Sequence, residues 1–151
     1  MHIGVETSKQ TRIKTEQGAG LTNLDRHIDR EFADKFRNAR RRTDVSAVYN
    51  CHGMTFASRR TMIVSVIDVR RILSDDNYQV VTGNDILPGD IVLYLSVSGD
   101  INHSGVVVEC PLGKTPWVFS KWGNGGEFIH EVRDCPALYG PEIEYRRCRH
   151  P

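Results

Sequence analysis

The chain is 151 residues long, the length of one domain at roughly 100–200 residues each. Hydrophobic residues make up 39% and charged residues 26%, a globular balance that excludes collagen-like, coiled-coil and long disordered classes. The 20 Lys and Arg oppose 19 Asp and Glu for a net charge of +1, which argues against nucleic acid as a partner. No apolar run approaches the roughly 18 residues of a membrane helix, so no membrane partner is expected either.

The first 20 residues are polar and read as an arm or short edge strand, with residues 21–151 as the single folded domain. They hold no apolar stretch of roughly 7–15 residues, so no secretory signal is expected. Leu21, Leu24, Ile28, Phe32 and Phe36 then recur about every four residues. That spacing predicts a helix whose apolar stripe faces the core, with Thr22 or Asn23 as its cap. Arg37, Arg40, Arg41 and Arg42 fall in its expected last turn, where they suit the negative end of the helix dipole. They read as a solvated helix end or as a docking face for an acidic partner.

Residues 45–60 predict a loop followed by a helix, with Met54, Ala57 and Thr61 on one side. A further helix is expected over residues 63–73, and Tyr78–Val81 reads as an extended piece. From there the pattern changes to apolar runs separated by Gly- and Pro-rich turns. Strands are expected within 86–95, over 103–109, 117–122 and 127–132, and near 143–147. Helices first and an antiparallel meander afterwards is the α+β arrangement.

Cys51 stands at the loop-to-helix junction, ahead of His52 and Gly53. A thiol there meets unpaired backbone N–H groups and the positive end of the helix dipole, which lower its pKa. Those N–H groups can also receive a developing oxyanion. Gly53 permits close approach of backbone or substrate. His103 opens a strand directly after a Gly-Asp turn, 52 residues on. Two helices and a strand fit between them, so the two side chains can meet, and an imidazole in reach can take the thiol proton.

The order of these pieces, Cys51 at a helix start with Gly53 behind it, then Ile86-Leu-Pro-Gly-Asp-Ile-Val-Leu-Tyr94, then His103-Ser-Gly-Val-Val-Val-Glu109, resembles the NlpC-type and CHAP-type cysteine peptidases and amidases of the papain-like group. The likeness spans about residues 48 to 132. It departs from those families at Asn50, where an acidic residue is usual, and at His52, which replaces Ser. It implies a papain-like small domain with N-terminal helices packed on a twisted antiparallel sheet. It also implies Cys51 as nucleophile, His103 as base, and a polar third residue one strand on. His130 in the Glu127-Phe-Ile-His130 strand is the first candidate for that third residue and Ser120 the second. The oxyanion would rest on the Cys51 N–H and a neighbouring donor on Tyr49 or Asn50.

The activity implied is cleavage of an amide or peptide bond in a peptide, protein or peptidoglycan-type substrate through an acyl-thioester, without cofactor. A thiol-dependent acyltransferase, a protein deamidase and an inactive interaction module are the alternatives. A cytoplasmic site is expected, or export as an effector without a visible signal peptide. Trp117 and Trp122 read as sheet packing or as a wall of the cleft. Cys135, Cys148 and His150, with Cys110 or His130, carry zinc-type ligand atoms. However, no C-x-x-C pair exists, and Cys148-Arg-His150 is too tight for the usual spacing, so no metal is expected. No P-loop, Gly-x-Gly-x-x-Gly or Gly-x-Ser-x-Gly motif is present.

Overall fold

The computed structural model describes residues 3–149; the first two residues of the arm and His150, a candidate zinc ligand, lie outside the described residues. Among the described residues, three α-helices accompany a seven-stranded sheet in which every strand pair is antiparallel. In chain order the elements are β1 (Val5–Glu6), β2 (Arg12–Ile13), α1 (Asn23–Lys35), β3 (Arg40–Arg41), α2 (Cys51–Phe56), α3 (Val66–Asp75), β4 (Tyr78–Val81), β5 (Ile91–Leu95), β6 (Ile101–Glu109), β7 (Trp117–Lys121), β8 (Glu127–Glu131) and β9 (Glu142–Cys148). The large sheet runs β3-β8-β7-β6-β5-β9-β4. Strands β5 to β8 form the expected meander. β9 departs from it, because the chain crosses back after β8 and inserts beside β5.

Alternation along the strands gives the sheet two buried faces. Ile91 and Leu93 point to one face, where they meet Val69, Ile72 and Leu73 of α3 and Ile63 and Ala57. Val92, Tyr94, Val118 and Phe128 point to the other, where Trp122, Val132, Cys135 and Tyr139 join them. The arm belongs to the first of these cores. Ile13 is buried in it, Thr7 donates to Asp75 at 2.7 Å, and Glu16 bridges to Met62.

Helix α1 departs from its sequence pattern. Thr22 caps it in a capping box with Asp25, but the stripe is covered only at its end. Phe32 and Phe36 pack edge-on against Trp122, while Leu24 and Ile28 are exposed. The buried residue of the helix is Asp29. Its carboxylate accepts the Gly126 N–H at 2.9 Å and pairs with Arg41 at 2.7 Å, so it is buried as a paired charge. The helix also stops at Lys35, so Arg37 to Arg42 do not form its last turn. Arg40 and Arg41 make the edge strand β3, and Arg40, Arg41 and Arg42 lie over the rings of Trp117, Phe128 and Phe119 respectively. Trp122 stacks on Phe128 with centroids 4.2 Å apart and is a core residue.

Truncating Ile13 to Ala is expected to destabilise the domain by about 2–5 kcal/mol, the usual range for a fully buried large aliphatic side chain. Urea denaturation measures this; a loss under about 0.5 kcal/mol, typical of a surface change, would make the arm peripheral to the fold.

Candidate active site

Asn50 starts helix α2. Its Oδ1 accepts the Gly53 N–H at 2.8 Å and the Ile63 N–H at 3.1 Å, and its Nδ2 donates to the Ile63 carbonyl at 2.8 Å. One side chain therefore caps the helix and fastens it to the segment before α3. Gly53 makes that possible, since a Cβ there would stand 1.8 Å from the Thr61 carbonyl oxygen. The close approach expected at Gly53 is thus made by backbone. Asn50, the other candidate oxyanion donor, spends one of its two amide N–H donors on the Ile63 carbonyl. The Cys51 N–H, at the first helical position, has no intrahelical acceptor.

Cys51 sits at the N-terminal end of α2, partly exposed, and its thiol faces two imidazoles. Burial alone would push the thiol up. The charges of His52 and His103 outweigh burial and hold the Cys51 thiol well below its ordinary range. The titratable groups around it are His52 on its own helix, His103 on β6, Lys121 on β7 and Tyr139 before β9. Burial brings Lys121 down to about 8, against the pull of the Cys51 and Glu127 charges. Its ammonium donates to the carbonyls of Ser46, Gly123 and Gly125. Lys121 adds a fixed cation to the thiolate side of the balance.

His52 is a participant that sequence reasoning treated only as a departure from a motif. Its Nδ1 lies 2.8 Å from Ser104 Oγ, which lies 2.9 Å from Thr55 Oγ1, which donates to the Cys51 carbonyl at 2.9 Å. A carbonyl can only accept, so the direction of every proton follows. Thr55 donates to Cys51, Ser104 to Thr55, and His52 Nδ1–H to Ser104. This relay fixes the His52 ring.

His103 reaches the site through an irregularity. The β5–β6 register passes from Tyr94↔His103 to Leu95↔Ile101, leaving Asn102 as an extra residue. Such a bulge re-aims the side chains beside it. Ile101 joins the core under α3, while His103 turns to the other face against Tyr94 and Tyr139. His103 Nε2 is buried and, among the described residues, has no hydrogen-bond partner.

The two candidates for a third residue are bonded to each other rather than to His103. His130 donates from Nδ1 to the Glu131 carbonyl at 2.7 Å, so its Nε2 accepts from Ser120 Oγ at 2.8 Å. Ser120 in turn accepts from the Trp122 indole at 3.0 Å. Burial holds His130 down at about 4, a neutral core histidine near neutral pH. Beside this string lies a buried ionic group that the sequence did not reveal. Glu127 is fully buried and receives Tyr49 at 2.8 Å, Arg59 in a bidentate pair, and Arg42 at 3.8 Å. Ser58 and Arg59, both left-handed with φ of 51° and 64°, deliver that guanidinium just past α2.

The remaining cysteines are elsewhere. Cys135 donates to the Val132 carbonyl inside the core, Cys148 to the Asp76 carbonyl, and Cys110 is exposed. Among the described residues no group of three or more His, Cys, Asp or Glu is arranged to hold a metal ion, and no helix is long and apolar enough to cross a membrane. Surface clefts of about 660 and 480 Å³ flank β9 and are lined by neither Cys51 nor His103. The chemistry-bearing side chains converge at the N-terminal end of α2 instead. No family model, curated protein or solved structure matches this chain.

His130 makes stability depend on pH in a defined direction. Its folded pKa of about 4 lies below the ordinary 6.5, so between those values the unfolded chain binds a proton that the folded chain refuses. Stability is therefore lost as pH falls from about 6.5 to 4, by up to about 3 kcal/mol at 1.36 kcal/mol per unit. Urea titrations across that range should show the loss in the wild type and a flatter profile in His130→Gln; identical slopes would remove His130 as the cause.

Proposed function

We propose that this protein is a cysteine hydrolase with a papain-like fold of the NlpC or CHAP type, cleaving an amide or peptide bond through Cys51 and His103. The observation that carries the reading is the His103 imidazole set against a thiol that is capped into a helix start and biased toward thiolate. An antiparallel sheet with the base on the strand beside the nucleophile's helix supports the fold assignment.

The reaction follows from these groups. The Cys51 thiolate attacks the carbonyl carbon of the scissile amide, and the carbonyl π pair moves to oxygen. The developing oxyanion takes the Cys51 N–H. As the tetrahedral intermediate collapses, the C–N bond breaks and the His103 imidazolium gives its proton to the leaving amine, which departs. An acyl-thioester remains on Cys51. His103, now neutral, takes a proton from a water as that water attacks the thioester. Collapse releases a carboxylic acid and restores the thiolate–imidazolium pair. The substrates that suit this chemistry are peptide, protein or peptidoglycan-type amides, reached at the partly exposed thiol.

A small activated ester reports on the nucleophile without knowledge of the natural substrate. Incubation with p-nitrophenyl acetate should place one acetyl group on the peptide carrying Cys51, with a burst of nitrophenolate that is absent in Cys51→Ala. His103→Ala should slow the burst at least about 10²-fold, the lower end for a lost general acid–base. Acetylation of Cys110 or Cys148 at equal rate, or an unchanged burst in a folded Cys51→Ala, would end the reading.

A further inference from the structure

A catalytic imidazole has to be held in one orientation, and the usual means is a hydrogen bond to a ring nitrogen. Here His103 Nε2 has no partner among the described residues, and Ser120 and His130, on β7 and β8, are bonded to one another. The ring is held in another way. Tyr139 lies flat on His103, with centroids 3.7 Å apart and planes 4° from parallel. Tyr94 meets His103 at 5.2 Å and 59°, and its own hydroxyl is fixed by the Val132 carbonyl at 2.6 Å.

The placement of Tyr139 is itself firmly determined. It ends a short 3-10 turn, Ala137–Tyr139, in which its N–H reaches the Pro136 carbonyl. Gly140 follows at φ of 121°, pressed so close to β5 that a Cβ would stand 2.3 Å from the Leu95 carbonyl oxygen. A side chain at 140 would lift the turn off β5 and take Tyr139 with it. The turn lies in the connection that carries the chain from β8 back to β9.

Resting on the reading of Cys51 and His103 as a catalytic pair, we propose that Tyr139 is the positioning residue for His103, holding the imidazole against Cys51 by ring stacking where a hydrogen-bonded third residue would otherwise stand. Neutral aromatic rings prefer offset or edge-on contact. A flat stack on a phenol instead suits a cationic imidazole, whose charge the ring face attracts. Tyr139 thereby orients the ring, and its face attracts the imidazolium that forms when Cys51 gives up its proton. Its own hydroxyl stays protonated, since burial and then the nearby Cys51 and Cys135 charges push that phenol up.

The test is the pH profile of Cys51 alkylation by iodoacetamide, read by peptide mass spectrometry. It is run in wild type, His103→Ala, Tyr139→Phe, Tyr139→Leu, Tyr139→Met and the double variant of His103→Ala with Tyr139→Leu. Tyr139→Phe keeps the ring face and should keep the wild-type profile. Tyr139→Leu and Tyr139→Met should shift the profile to higher pH and slow neutral-pH alkylation about 5- to 30-fold, the equivalent of about 1–2 kcal/mol for a cation over a ring. In the His103→Ala background Tyr139→Leu should add nothing further. A shift with His103→Ala but none with Tyr139→Leu or Tyr139→Met overturns the role of Tyr139 and leaves the Cys51–His103 pair standing. No shift with His103→Ala overturns the pair itself. Loss of the wild-type profile in Tyr139→Phe would assign the effect to the hydroxyl and likewise overturn the proposal. Should the aliphatic variants fail to fold by circular dichroism, the wild-type imidazole NMR signals decide. Upfield ring-current shifts on His103 support the stack, and their absence overturns it.

Discussion

Much of the site's geometry follows from three hydrogen bonds made by one amide. Asn50 closes the first turn of α2 and ties it to the backbone of Ile63, so the helix start cannot move without the segment that leads into α3. The contact exists only because Gly53 lets the Thr61 carbonyl into the space of a side chain. With α2 fixed in this way, Cys51 stands over β6 and β7, and its neighbour His52 reaches Ser104. A six-residue helix has little stability of its own. The cap and the tie supply what its length cannot.

The charges around that helix form a second, coupled layer. Burial penalises every ionised group here, so each persists only with partners. Glu127 is held ionised against its burial by Arg59 and Tyr49, and Lys121, directly opposite it in the β7–β8 register, is caged by three carbonyls. Tyr49 joins the two, with its hydroxyl on Glu127 and its ring 4.9 Å from the Lys121 ammonium. Tyr49 and Cys51 are two residues apart, so the ionic group and the thiol share one stretch of chain. A thiolate at Cys51 faces His52, His103 and Lys121, and the carboxylate nearest Lys121 is already neutralised by guanidinium. The local field therefore favours negative charge on sulfur.

What could be read from the sequence was local. The α+β order, the meander of β5 to β8 and the helix start at Cys51 all follow from short-range pattern, cap chemistry and turn residues. Features that depend on distant partners were not legible. The α1 stripe pointed to Leu24 and Ile28 as core, yet the residue buried there is Asp29, because its partners Arg41 and Gly126 lie 12 and 97 positions away. The basic run after α1 looked like a helix end and is an edge strand laid over aromatic rings. The bulge at Asn102, which turns His103 toward Tyr139, leaves no mark in the apolar alternation. Tyr139 itself lies in a Pro- and Gly-bounded turn whose local sequence says nothing of a partner 36 positions back. It reaches His103 only because β9 crosses beside β5 instead of extending the meander.

The same residues bear on whether this arrangement serves reaction or packing alone. An unpartnered buried nitrogen such as His103 Nε2 costs about 1–3 kcal/mol, and two consecutive left-handed residues, Ser58 and Arg59, add strain of order 1 kcal/mol or more each. A core selected only for stability would replace the imidazole with an apolar side chain of similar size, since Tyr94, Tyr139 and Trp122 already make that face hydrophobic. His130 shows what a structural histidine looks like in the same sheet, with both nitrogens satisfied and the ring neutral. His103 differs, with its ring stacked on Tyr139 and its Nε2 without a partner among the described residues. Local departures from consistency of this kind concentrate where function is exerted, and these lie on β6 and just past the helix that begins at Cys51.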